Sequence, residues 1–478
     1  MSQATLLERL ARLVAETRLE DLPAEVVRSV KARVLDTLGI CVAAADLDTS
    51  RAIAAYASSQ GGSGEAHAIG VRQTLPAALA ALVNGTLAHS LDYDDTHLPS
   101  IVHPSATIVP ACLAAAEAAG APGRELVAAV AVGLEVCVRL GMAGYDEAAR
   151  NSTYFDRGQH ATSICGAIAA AGAAARLDRL EAAGVLHAMA IAASMASGII
   201  ESNRTGGNVK RLHCGWAAHA GISAARLARL GFTGAPSALE GRFGLFRALL
   251  DGRFDEGAIL DGLGEAWSVP AIRFKPYPAN HFTHAGIDAA LALRARGLRA
   301  AEVERLTLGV AGPTLRTIGE PIEAKRAPKT AYEAQFSGPY TVVAALLGGH
   351  GLGLGLEDFT DELARDPSRR ALMALVDVVE DAACSERFPN EFPARLRART
   401  AGGAELVEEV WANRGGPGRP LSARELAVKF EDNVRHALDP AAAAELEDLV
   451  AGLEGLERPG EILERLGGGR GATGAPGA

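Results

Sequence analysis

WSVPAIRFKPYPAN, residues 267–280, divides the chain into two kinds of sequence. Its prolines, Pro270, Pro276 and Pro278, each fix φ and remove a backbone donor, so the stretch cannot be one helix. Upstream the pattern is helical. Leu6, Leu10, Leu13 and Val14 share one face over 3–17, and Pro23 suits the start of a helix over 23–45. Further helices are expected over 76–90, 104–119, 124–143, 161–177, 180–197 and 214–230, punctuated by Gly and Pro. Downstream the character mixes. Residues 284–297 and 332–349 read as helices. VERLTLGV (303–310) alternates as a strand does, and so do 371–381 and the hairpin 393–400/404–413 around Ala401-Gly402-Gly403. Residues 421–455 return to helix. The expected fold class is therefore mainly α with an α+β part. The helical domain takes both chain ends (1–266 and 416–460), the α+β insert covers 267–415, and a Gly-rich tail covers 461–478.

The bulk numbers agree with a globular enzyme-sized chain. The 478 residues suffice for two or three domains. Hydrophobic residues make up 49% and aromatics only 5%, so Ala, Leu, Val and Ile must fill the core and helix axes can lie close together. A net charge of −10 argues against a nucleic-acid footprint, but a site for an anion needs only local cations. The six cysteines (41, 112, 137, 165, 214 and 384) stand singly, four of them in Ala-rich runs. This fits core thiols and a reducing, cytoplasmic setting. MSQATLLERLARLVAET lacks the basic start and apolar stretch of a secretory signal. The Ala-rich runs are broken by Glu, Arg, His or Gly, which favours buried helices over membrane spans.

Four polar stretches interrupt this apolar background. HSLDYDDTHLPSIVHPS (89–105) is the densest and admits three readings. In the first, Asp92 and His103 flank a substrate that Thr96 orients, and a histidine does the proton transfer. In the second, Asp94, Asp95, His97 and His103 hold a divalent ion, although no standard ligand spacing is present. In the third, the acids cap helices and the histidines satisfy backbone groups. SNRTGGNVKRLHCGWAAHAG (202–221) sets Lys210, Arg211 and His213 before an Ala-rich helix, as an anion pocket or as a solvated connection. Its glycines match neither nucleotide-binding pattern. FKPYPANHFTH (274–284) holds Lys275 on a Pro-stiffened segment followed by His281 and His284; it is a carboxylate clamp or a linker. FDRGQHATSICG (155–166) places His160 before an apolar helix. Packing or helix-end satisfaction is the plain reading of Arg204, His213, His219 and His284.

Taken in order, LDTLGICVAAA (35–45), HSLDYDDTHLPSIVHPSATIVPA (89–111), GQHATSICGA (158–167), NVKRLHCGWAAHAG (208–221), EGRFGLF (240–246) and FKPYPANHFTH (274–284) resemble the MmgE/PrpD family over about residues 5–455. That family includes 2-methylcitrate dehydratase and cis-aconitate decarboxylase. The resemblance implies a helical domain with a smaller α+β lid, a homodimer, and catalysis without metal or organic cofactor. It places the active site on Asp92, Thr96, His103, His160, Lys210 and Lys275. His213 and His281 are expected to join Lys210 and Lys275 in binding substrate. Asn280 stands where the decarboxylase carries a catalytic histidine, and PTLRTIGEPIEAK offers no counterpart of its lid tyrosine.

The expected function is thus a cofactor-independent lyase of a small polycarboxylate, closest to a 2-methylcitrate dehydratase. Lys210 and Lys275 would bind carboxylates, and His103 or His160 would take a proton from the adjacent carbon, with Asp92 relaying. The lid would close over the site on hinges near 267–275 and 413–421. An epimerase or decarboxylase of a related di- or tricarboxylate would use the same carbanion. A non-catalytic carboxylate binder and a metal-dependent hydrolase on Asp94, Asp95 and His97 are the readings from other classes.

Overall fold

The computed structural model describes residues 4–202 and 206–467. Two compact units emerge. One holds the chain up to Ile272 and again from Val434; the other is Arg273–Asn433. The protein is mainly helical with a small α+β part.

The first unit opens with α1 (Leu6–Glu16). Thr5 Oγ1 accepts from the Glu8 amide at 3.2 Å and the Thr5 amide donates to the Glu8 carboxylate at 2.6 Å, a reciprocal cap. There follow α2 (Ala24–Ala44), α3 (Asp48–Ser59), α4 (Ala77–Ala88), α5 (Ser105–Ala119) and α6 (Gly123–Ala143). A two-residue antiparallel ladder, β1 (Tyr145–Asp146) with β2 (Asn151–Ser152), precedes α7 (Ala161–Leu177), α8 (Ala182–Met195) and α9 (Leu212–Arg229). The helix at α3 has no counterpart in the sequence expectation.

Small residues decide how these helices pack. A Cβ added at Gly215 would lie 2.2 Å from the Leu82 carbonyl oxygen, and one at Gly221 would lie 2.6 Å from the Ala170 Cβ. Thus α9 lies directly against α4 and α7, at a distance only glycine and alanine permit. Every residue of α7 is buried. At 21 residues, α6 is long and apolar enough to cross a membrane, contrary to the expectation that such runs are too interrupted. Its apolar window is nonetheless 94% buried, among α2, α5 and α7. The Glu135–Arg139 pair on α6 (2.6 Å) is buried as well. All six cysteines are free and buried.

The second unit is built on α10 (His284–Ala295), α11 (Gly338–Leu347) and a four-stranded sheet. Its strands are β3 (Val303–Val310), β4 (Val376–Glu380), β5 (Ala394–Thr400) and β6 (Glu405–Val410), in the order β4-β3-β5-β6. The first pair is parallel, reached through a long helical crossover, and the other two pairs are antiparallel. Leu306, Leu308 and Val310 pair with Ala398, Leu396 and Ala394. All six face a core shared with α10 and α11, because strand side chains alternate. The opposite face carries ion pairs such as Arg305–Asp377 and Arg395–Asp381.

Three expected elements are shorter than the sequence pattern suggested. The helix over 332–349 is interrupted, because Ser337 caps the Tyr340 amide at 3.0 Å and starts α11 afresh after Ala331–Gln335. The strand over 371–381 begins only at Val376. Asp366 and Pro367 initiate a helix, Pro367–Met373, that takes its first residues. The return over 421–455 divides into α12 (Ala423–Val434) and α13 (Pro440–Ala451), with Asp439 capping the second. All but the last residue of α12 groups with the second unit rather than with the returning helices. Within the tail expected over 461–478, Glu461–Gly467 is helical (α14). The rest of that tail, 468–478, lies outside the described residues, as does the Arg204 position.

Candidate active site

Four helix ends in the first unit each deliver an imidazole. His89 is the C-cap of α4; His103 precedes α5 by two residues; His160 is the N-cap of α7; His213 sits in the first turn of α9. The close α4–α9 and α7–α9 packing brings the rings together. Centroids lie 5.4 Å apart for His89–His103, 5.4 Å for His89–His160 and 5.0 Å for His160–His213. His89, His160 and His213 are buried, and the His103 side chain is 12% exposed.

Their partners differ. His89 Nδ1 meets Asp94 Oδ2 at 2.6 Å. His103 Nδ1 lies 2.7 Å from the Asp95 carbonyl oxygen, 3.1 Å from Thr96 Oγ1 and 3.8 Å from the Asp94 carboxylate. A ring nitrogen against a carbonyl must carry the proton, so His103 presents Nε2 as its basic nitrogen when neutral. The Nδ1 atoms of His160 and His213 are 3.0 Å apart. One must donate and the other accept, so this contact cannot survive with both rings charged.

Charge is unevenly distributed over the four. Burial holds His160 well below the usual imidazole range, and the charges of His89, Lys210, His213 and His103 add to this. Burial, then His89 and Lys210, push His213 down to about 4. Burial disfavours charge on His89 too, but Cys214 and Asp94 outweigh it and raise that ring to about 9. Lys210 is half-buried in the 3₁₀ turn Val209–Arg211 that leads into α9.

The acidic loop is divided among separate tasks. Asp95 is a buried strut. Its carboxylate takes Arg33 Nη1 at 2.7 Å, the Ser105 amide at 3.2 Å and the Ser105 hydroxyl. Arg33, 1% exposed, also donates to the Val269 and Ile272 carbonyls. His97 is tied to Ser100 at 2.7 Å. Asp94, Asp95 and His97 therefore serve three different partners rather than one ligand set. Thr96, expected to orient a substrate, is buried with its hydroxyl on His103. Asp92 is half-buried in the left-handed region, φ 51°, which aspartate tolerates better than most residues.

The remaining expected residues belong to the second unit. Lys275 is 2% exposed. His281 is buried, with its ring 4.7 Å from that of His284 and edge-on to Phe392. His284 Nε2 meets the Ala279 carbonyl at 3.0 Å. Asn280 caps the short helix His281–Thr283 by accepting from the Phe282 amide at 3.1 Å. Tyr277 donates to Asp288 at 2.5 Å, and Arg414 and Arg419 complete that network.

The sequence reading passed over His89, and it gave Asp94 only a metal-ligand role. The signal was present, since His89 ends an Ala-rich helix and Asp94 follows five residues later. What was missing was the packing that sets them beside His103 and His160.

A helical unit gathering imidazoles, a lysine and carboxylates at helix ends, joined to a small α+β unit, defines the class of protein. The chain belongs to the MmgE/PrpD family: residues 8–256 match its N-terminal domain and 277–455 its C-terminal domain. Human cis-aconitate decarboxylase is 28% identical over 96% of this chain and 93% of its own length. The cis-aconitate decarboxylase of Aspergillus terreus is 25% identical over 94% and 93%. The cis-aconitate decarboxylase-like protein oryM of Aspergillus oryzae is 25% identical over 96% of each chain.

Proposed function

We propose that this chain is a lyase that acts on a small polycarboxylate by moving a proton at the carbon beside a carboxylate. The observation carrying this reading is the imidazole cluster beside Lys210, where α5, α7 and α9 all begin. Helix N-termini and a lysine favour an anion, while neutral buried imidazoles supply a base. Lys210 holds one carboxylate and stabilises the enolate-like dianion. The family resemblance assigns a second carboxylate to Lys275. His103 Nε2 takes the proton from carbon, the C–O bond breaks, and the departing hydroxide leaves as water with the proton that His103 has taken.

Dehydration is the primary reading, because Asn280 stands where the family's decarboxylase has a catalytic histidine, and here it is committed to capping a helix. Decarboxylation is the second reading, favoured by the relatives' names. It uses the same groups in another order, with carbon dioxide leaving first and a protonated histidine then delivering its proton to the carbanion.

The test is incubation in deuterated water with 2-methylcitrate, citrate, cis-aconitate and imino-dicarboxylates, read by mass spectrometry. Loss of water from one compound, abolished in His103→Ala, supports the primary reading. Loss of carbon dioxide selects the second, and deuterium uptake without mass loss would mean epimerisation. No exchange with any compound would overturn the lyase reading and favour a carboxylate binder.

A further inference from the structure

Of the four clustered imidazoles, one is built differently from the rest. His103, His160 and His213 stand at or just before helix N-termini, where a positive charge is disfavoured. His89 stands at the C-terminus of α4, where a positive charge is favoured. A buried carboxylate, Asp94, 3% exposed, contacts its Nδ1 at 2.6 Å. Its other nitrogen, Nε2, is buried with no hydrogen-bond partner among the described residues, while the rings of His103 and His160 lie 5.4 Å away. A carboxylate–imidazole pair aimed into a site, with an unsatisfied nitrogen, is an arrangement in which one histidine conditions others.

We propose that Asp94 and His89 form a charge-holding dyad: His89 keeps a proton within the cluster, and its presence leaves His160 and His213 uncharged and ready to accept one. His89 is thus a positioning residue acting through His160 and His103, not a group that meets substrate. Its role in turnover rests on the lyase reading above, but its charge state does not. The groups facing it are Asp94 from the loop, His103 before α5, His160 at α7, and Cys214 and Lys210 at α9. Asp94 and Cys214 favour the charge; Lys210 and burial oppose it. The depressed affinity of His160 and His213 for protons, to which His89 contributes after burial, is the expected consequence.

The experiment is NMR titration of the full chain labelled at histidine Cε1, with each resonance assigned by single variants. In the wild type, one imidazole should remain charged at pH 8 and disappear in His89→Asn, while two should remain neutral at pH 5.5. In His89→Asn, at least one of those two should titrate half a pH unit higher or more. Asp94→Asn should lower the His89 titration by one unit or more, which covers the case where His89→Asn does not fold. With the polycarboxylate that exchanges in the panel, His89→Asn should lose tenfold or more in kcat with KM within twofold. No charged imidazole at pH 8 in the wild type, or unchanged titrations in the variants, would overturn the dyad even if turnover were found. The expected titrations without exchange on any polycarboxylate would leave the dyad standing and remove the lyase reading.

Discussion

Residues 89–105 and 274–284 look alike in sequence: each mixes histidines with prolines and a Thr, next to an Ala-rich helix. Folded, they differ. In the first, imidazoles meet carboxylates and one another, and their proton affinities spread from about 4 to about 9 once His213 is included. In the second, His284 is fixed on a backbone carbonyl, His281 packs on His284 and Phe392, and Asn280 caps a short helix. The lesson is that a histidine-rich stretch gains chemistry from what other helix ends bring to it. The first stretch receives α7 and α9; the second receives Gln335, Phe392, Arg414 and Gly415, which bring it backbone hydrogen bonds, a bond to the Tyr277 hydroxyl and ring packing.

Mutation tests that comparison most severely at His103. His103→Ala should reduce turnover by roughly 10²- to 10⁴-fold, the usual worth of a general acid or base, as measured by kcat on the exchanging substrate. A loss under tenfold would remove His103 from the chemistry. Next comes the strut beneath the first stretch. Asp95→Ala leaves Arg33 buried without its carboxylate and should cost about 3–5 kcal/mol in urea unfolding. In the second stretch, His284→Asn should cost about 1–3 kcal/mol through the lost carbonyl contact, with kcat within about threefold. A large kcat effect there would erase the contrast between the two segments.

Acid should act on the first stretch as well. His160 and His213 bind protons less readily in the folded chain than in the unfolded one, where imidazole titrates near 6.5. The unfolded state therefore takes up more protons as pH falls from about 6.5 to 4. Stability should drop across that window by on the order of 1 kcal/mol per pH unit for each group. His89 has the opposite sign: its contribution is complete below about 6.5 and is lost as pH rises through about 9. Thermal melts across pH 4–10 check both arms, and His213→Phe should flatten the acid arm. The smallest effect expected is Asn280→Ala, about 1 kcal/mol for a lost cap, read from the melting temperature.

Much of this was legible in the chain itself. Helical periodicity placed α5, α6, α7 and β3 within one residue, because a buried helix or strand must repeat its apolar residues at 3.6 or 2. The prolines of 267–280 marked the change of architecture, since they fix φ whatever surrounds them. Breaks set by one side-chain cap, at Ser337, Asp366 and Asp439, were missed because apolar spacing runs straight through them. Residue types in the first stretch announced proton chemistry, but not who pairs with whom. Asp95 looked like a metal ligand or a helix cap until Arg33, 62 residues earlier, proved to be its partner. His89 looked like the end of a helix until α7 and α9 closed around it. Local pattern determines which segments are helix or strand, because that depends on neighbours in sequence. Charge, tautomer and pairing depend on burial and on groups far apart in the chain, and only tertiary packing brings those within reach.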